Sequence, residues 1–206
     1  MIAALAVLAL GAADTQAILS SLEKQGRALK TMQADFVQTK VSVLLNDKEE
    51  TRGSVLLQVP GRLRWNYAGA QPSAMVIKGG RIERFVPQTK QLFRGTARGD
   101  ADLLVGFGEG AVDLGRKYEV AVEGEEAVAG APAWILKLKP RGGGGLFKEI
   151  RLWVDKTRFI PVQTQLTEPT DDYTTIRFEH VVLNRVLPAS AFDLVLPKGV
   201  TVEELK

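Results

Sequence analysis

The chain has 206 residues, 45% of them hydrophobic and 25% charged, with a formal net charge of +3. That length suffices for one sizeable core without demanding a second. Lys and Arg are interspersed with Asp and Glu, which argues against a nucleic-acid surface; the complete absence of cysteine excludes disulfides, thiolate metal sites, cysteine nucleophiles and lipid attachment to an N-terminal cysteine.

Residues 1–13, MIAALAVLALGAA, are apolar, uncharged and end in small residues. They read as a signal peptide lacking its basic n-region, too short for the roughly twenty residues a bilayer span needs. Residues 14–206 are then expected to form a single domain of an exported, soluble protein. From Asp14 to Lys30, Ile18, Leu22 and Leu29 recur at helical spacing, with Asp14 or Thr15 as the expected N-cap. From Ala34 to Leu44 the pattern alternates as in a strand, with a polar turn expected at Asn46-Asp47-Lys48.

The stretch Gly53 to Tyr67, GSVLLQVPGRLRWNY, reads as two strands around a Pro60-Gly61 turn. Val55, Leu57 and Val59 share one face of the first strand, and Leu63, Trp65 and Tyr67 share one face of the second. Arg62, Arg64 and Asn66 stand on the opposite face, so the ribbon is apolar on one side and cationic on the other. Short strands follow at Ala74–Lys78, Ile82–Val86 and Gln91–Arg94, with Gly79-Gly80 as a two-residue turn. Between Gly99 and Leu114, Leu103, Leu104 and Phe107 lie at helical spacing among Gly106, Gly108 and Gly110. Interior glycine costs a helix about 1 kcal/mol relative to alanine, so the segment reads as a movable flap.

Further strands are expected at Tyr118–Val122, Trp134–Lys139, Phe147–Asp155, Val162–Leu166 and Tyr173–Val182, with a last one at Phe192–Leu196. Ten or eleven strands without helical crossovers predict a mainly β, α+β fold: a large curled antiparallel sheet forming an unclosed barrel, covered by the N-terminal helix and a short helical lid. Its concave face would be lined by Leu63, Trp65, Tyr67, Met75 and Ile77, and would either hold a ligand or fill with side chains.

Catalysis has little support. The only histidine, His180, alternates with Ile176, Phe178 and Val182 and reads as a packed core imidazole. No GxSxG elbow, HExxH helix or phosphate loop occurs, and the RGGGGLF run at Arg141–Phe147 leads into a strand. Carboxylate pairs such as Glu49-Glu50 and Asp171-Asp172 fall in turns. No catalytic residue, metal site or cofactor is expected.

Four segments, MQADFVQTK (Met32–Lys40), GSVLLQVPGRLRWNY, SAMVIKGGRIERFVPQTKQ (Ser73–Gln91) and AFDLVLPKGVTVEEL (Ala191–Leu205), together and in this order resemble the outer-membrane lipoprotein carrier family, LolA. The resemblance implies an unclosed barrel with a helical lid over a hydrophobic cavity. It further implies a monomeric periplasmic carrier that takes lipoprotein acyl chains from an inner-membrane ABC transporter. Delivery would be to an outer-membrane lipoprotein receptor or to the outer membrane itself. Met32, Phe36, Leu63, Trp65, Tyr67, Met75 and Ile77 are the expected cavity wall, and Leu103, Leu104 and Phe107 the lid. The other reading of the same fold is a periplasmic lipid-sensing or protein-interaction module of stress-sensor type. The receptor of this fold is itself a lipoprotein, which a cysteine-free chain does not match. Well-known members carry a lid-latching arginine before the hairpin proline; here that residue is Val59, so the latch is expected to differ.

Overall fold

A computed structural model describes residues 12–97, 106–142 and 146–205. Helix α1 (Ala12–Ala28) is followed by strands β1 (Thr31–Ser42), β2 (Asp47–Gln58), β3 (Arg62–Tyr67), β4 (Ser73–Lys78), β5 (Arg81–Val86) and β6 (Gln91–Thr96). After a 3-10 turn (Gly108–Ala111) and the one-turn helix α2 (Leu114–Lys117) come β7 (Tyr118–Val128), β8 (Ala131–Pro140), β9 (Glu149–Asp155), β10 (Pro161–Thr167) and β11 (Tyr173–Leu183). A second 3-10 turn (Ala189–Phe192) and β12 (Thr201–Glu204) complete the described chain.

The strands form one sheet in the order β12-β6-β5-β4-β3-β2-β1-β11-β10-β9-β8-β7. Two antiparallel meanders, β1 to β6 and β7 to β11, are joined at its centre by β1 and β11, and β7 ends the strand order. Among the described residues only β12 pairs in parallel, covering the edge of β6. The expected large, unclosed, mostly antiparallel sheet is therefore present.

Two apolar clusters cover the inner face. Ile18 and Leu22 of α1 pack with Ala111, Leu114, Leu136, Leu138, Ile150 and Leu152 over the β7–β10 half. Leu29, at the end of the helical segment, packs instead with Met32, Phe36, Trp65 and Phe107 over the other half. The described helix already includes Ala12 and Ala13, so Asp14 and Thr15 lie within it and not at its cap. Arg27 lies in the last turn, where a cation complements the negative end of the helix dipole.

Several expectations need correction. The first hairpin turns at 43–46, and Asp47 and Lys48 already belong to β2. The hydrophilic run DKEETR hides that half of β2 because the strand is solvated on both faces there. No strand spans Phe192–Leu196: Phe192 ends a 3-10 turn, and the terminal strand lies later, at Thr201–Glu204. His180 is not a core residue. A bulge shifts the β1–β11 register between Gln33 and Asp35, and His180 adopts φ 52° there. Its side chain, 80% exposed, meets Asp35 Oδ2 at 2.9 Å on the outer surface. Beyond the bulge the alternation shifts by one, so Val181 and Leu183 pack against the core while Val182 is exposed.

Candidate functional site

The concave face of β1–β4 and β11 brings together all seven residues expected to form the cavity wall. Met32, Phe36, Leu63 and Trp65 are buried in one cluster, and Tyr67, Met75 and Ile77 pack against it half-buried. The register explains this grouping: Leu63 faces Ile77 and Trp65 faces Met75 across the β3–β4 pair, while Val55 faces Trp65 and Leu57 faces Leu63 across β2–β3. Period-two alternation then aims all of them to the same side.

The aromatic rings form a continuous array. Phe36 meets Trp65 edge-on at 4.7 Å between centroids and Tyr67 at 5.5 Å. Trp65 and Tyr67 stack at 6.3 Å, and Phe178 of β11 lies 6.4 Å from Trp65. Phe36 is seated by Gly53, its cross-strand partner: a Cβ there would fall 2.7 Å from Phe36 Cζ and 1.9 Å from the Asn66 carbonyl oxygen. Burial pushes the Tyr67 hydroxyl up from its ordinary pKa, with the charge of Arg84 acting in the opposite sense, so the phenol stays neutral at physiological pH. Trp65 Nε1 is buried without a hydrogen-bond partner. An unmade bond of this kind costs about 1–3 kcal/mol.

The cluster is capped by Phe107, whose ring stands edge-on to Phe178 at 5.1 Å. Gly106 and Gly108 flank it at φ 88° and 50°, left-handed conformations that end any α-helix and drive the ring inward. Gly106 N donates to Gly110 O and Gly110 N to Phe107 O, closing the turn. The described part of the expected flap is thus a glycine-hinged turn, not an α-helix; Leu103 and Leu104 lie outside the described residues. Val59 presses against this turn: a Cβ on Gly108 would lie 2.8 Å from Val59 Cγ2. Its backbone N–H donates to Lys30 O, fixing the hairpin to the segment that follows α1. At this contact an apolar side chain stands where the family resemblance implied a hydrogen-bonding latch.

Sequence reasoning missed the outer side of the same strands. Arg64 Nη1 donates to the carbonyls of Ala191 and Asp193, at 3.0 and 3.1 Å, and Lys78 Nζ pairs with Asp193 at 2.8 Å. These cations pin the C-terminal segment across the convex face, with Phe192 buried beneath it. The cationic outer face was legible; its intramolecular partner was not. Among the described residues no cluster of His, Asp and Glu could hold a metal, and no helix is long and apolar enough to cross a membrane.

An open-ended antiparallel sheet with a capped apolar concave face defines the class of binding and transport folds to which lipoprotein carriers belong. The family model described as outer membrane lipoprotein carrier protein LolA matches residues 27–195, and the chain belongs to that family. The outer-membrane lipoprotein carrier protein of Chromobacterium violaceum is 30% identical over 210 residues, covering 98% of this chain and 95% of that protein. Its counterpart from Methylococcus capsulatus is 27% identical over 180 residues, with 86% and 83% covered. Among solved structures, an uncharacterized conserved protein of Thermus thermophilus superposes with a TM-score of 0.61 at 16% identity, covering 93% of this chain and 99% of that one. The MucA/MucB complex of Pseudomonas aeruginosa contains a chain with a TM-score of 0.53 at 18% identity, covering 88% of this chain and 61% of that one. These two likenesses concern the fold alone.

Proposed function

We propose that the protein is a soluble periplasmic carrier that accepts lipoprotein acyl chains on its concave face and moves them from the inner to the outer membrane. The observation supporting this is the aromatic and aliphatic cluster of Met32, Phe36, Leu63, Trp65, Tyr67, Met75 and Ile77 beneath the Phe107 turn, in a chain of the LolA family. Aliphatic side chains and methionine suit a disordered acyl chain because they demand little geometry. The unpaired Trp65 Nε1 offers one directional contact, for which an ester carbonyl of the cargo is a fitting acceptor.

The energetics favour a loose hold. Three acyl chains of roughly sixteen carbons represent on the order of 36 kcal/mol at about 0.8 kcal/mol per methylene, beyond the practical ceiling of about 20 kcal/mol for non-covalent binding. The carrier therefore depends on an ATP-driven inner-membrane transporter to release cargo from the bilayer. Incomplete shielding lets an outer-membrane receptor, or the membrane itself, take that cargo. Opening requires Phe107 and the aromatic array to part, since in this conformation they pack against one another.

Native mass spectrometry of protein purified from the periplasm tests the proposal, together with a fluorescent fatty-acid displacement assay. Acyl species should co-purify, and Leu63→Glu or Trp65→Glu should abolish probe binding in a folded protein. Consistent absence of acyl species, with unchanged binding in both variants, would favour a filled core serving a sensor or protein-interaction role, the second reading of this fold.

A further inference from the structure

We infer that the β1–β2 hairpin tip is a membrane-contact finger that seats the protein directly on a lipid bilayer. Val43, Leu44 and Leu45 occupy the turn and are 52%, 90% and 74% exposed. Three consecutive exposed aliphatic residues are unfavourable on a water-facing turn unless something covers them. The turn is otherwise well made. Asn46, at φ 49°, closes it by donating its N–H to Val43 O, and Asp172 accepts from Val43 N at 2.8 Å. The leucines are thus presented by a fixed scaffold.

The finger runs on past the end of β3, while its β1 arm stays paired with β11 almost to the turn. On one side the last bond from the β3 segment to β2 is Ala68 N to Arg52 O, so residues 47–51 run on past it, about 17 Å at the usual rise per strand residue. On the other side the pairing of β1 with β11 ends at Val41 and Tyr173. At the same rim, the β8–β9 connection carries Leu146, which is 63% exposed. The strand ends place both aliphatic groups on one edge of the molecule.

The shape and chemistry favour a bilayer over a protein groove. The tip is a projection of aliphatic side chains, without the Trp, Tyr and Arg anchors typical of protein hot spots. The polar backbone of the turn limits entry to the shallow interface between headgroups and acyl chains, the depth used by interfacial segments. The stem carries Lys40, Lys48 and Arg52 against Asp47, Glu49 and Glu50, a balanced set. Attachment therefore draws on the leucines and not on anionic lipid, and the occupant is the hydrocarbon surface of a neutral membrane.

Vesicle flotation tests this without cargo, so its failure would leave the carrier proposal standing. The full chain should float with pure phosphatidylcholine vesicles, and no more strongly with equal parts phosphatidylcholine and phosphatidylglycerol. Leu44→Glu with Leu45→Glu should cut the bound fraction by about tenfold or more, while an unchanged circular dichroism spectrum and urea midpoint confirm the fold. Val186→Glu, at an exposed valine beyond the far end of β11, should float like the unaltered protein. Absence of flotation, equal flotation of the double variant, or binding only to anionic vesicles with loss in high salt would each overturn the inference. In the first case, retention on a receptor protein would assign the tip to a protein partner.

Discussion

Val59 Cγ2 and the α-carbon of Gly108 are in such close contact that no side chain fits between them: a Cβ on Gly108 would lie 2.8 Å from that methyl group. The hairpin and the lid turn therefore meet through packing, in a left-handed conformation suited to glycine. Gly108→Ala should weaken this junction by about 1–3 kcal/mol. In chemical denaturation it should appear as a lowered midpoint, and in stopped-flow mixing as faster entry of the fatty-acid probe. An unchanged entry rate would show that the turn does not gate the concave face.

Phe107 tests the cap from the other side. Truncating a buried phenylalanine costs about 3–5 kcal/mol when the cavity stays empty. Phe107→Ala should lose less stability in the presence of a saturating fatty acid than in its absence, because the ligand refills the space. Thermal unfolding with and without ligand measures the difference.

Gly53 is needed for space, not for conformational freedom. Gly53→Ala would bring a methyl group against the Asn66 carbonyl and the Phe36 ring, and a loss of at least about 2 kcal/mol is expected in urea unfolding.

Asp155 makes the β9–β10 turn sensitive to acid. Burial opposes its ionisation, but the backbone N–H groups of Arg158 and Thr157 and the Arg158 guanidinium outweigh that and hold its pKa below the usual range. A depressed carboxylate contributes stability that is present above its unfolded pKa, about 3.9, and is lost as pH falls through the lower folded value. Asp155→Ala should cost about 2 kcal/mol at neutral pH, and the gap between variant and parent should close below pH about 4. Guanidinium denaturation at a series of pH values would show it.

Arg64 should release the C-terminal segment. Arg64→Ala removes both donors to the Ala191 and Asp193 carbonyls, so amide exchange at Thr201–Glu204 should rise, with a stability loss of about 1–2 kcal/mol.

The central ribbon was legible because both determinants are local: alternation assigns the faces, and Pro60-Gly61 marks the turn between Leu57 and Leu63. The concave grouping followed from it, since Met75 and Ile77 lie one short turn further along the chain. What escaped depends on partners distant in sequence. His180 looked inward until the bulge opposite Ala34 displaced it. Phe192 was correctly apolar but belongs to a segment strapped outside the sheet by Arg64 and Lys78. β12 is four exposed residues whose only cue is an available edge on β6. The first half of β2 carries no buried face at all, and periodicity reports burial, not hydrogen bonding.

The central seam of the sheet also bears on when the protein can form. β1 finds its β11 partner about 150 residues away, with Met32 opposite Leu183. Each meander can assemble from neighbouring strands, but loop-closure entropy delays the seam until nearly the whole chain is available. A chain emerging from one side of a membrane would therefore remain two unfinished half-sheets, with the β1 edge unpaired, until its last fifth arrived with β11. The concave face, drawn from both sides of the seam, could bind nothing before then.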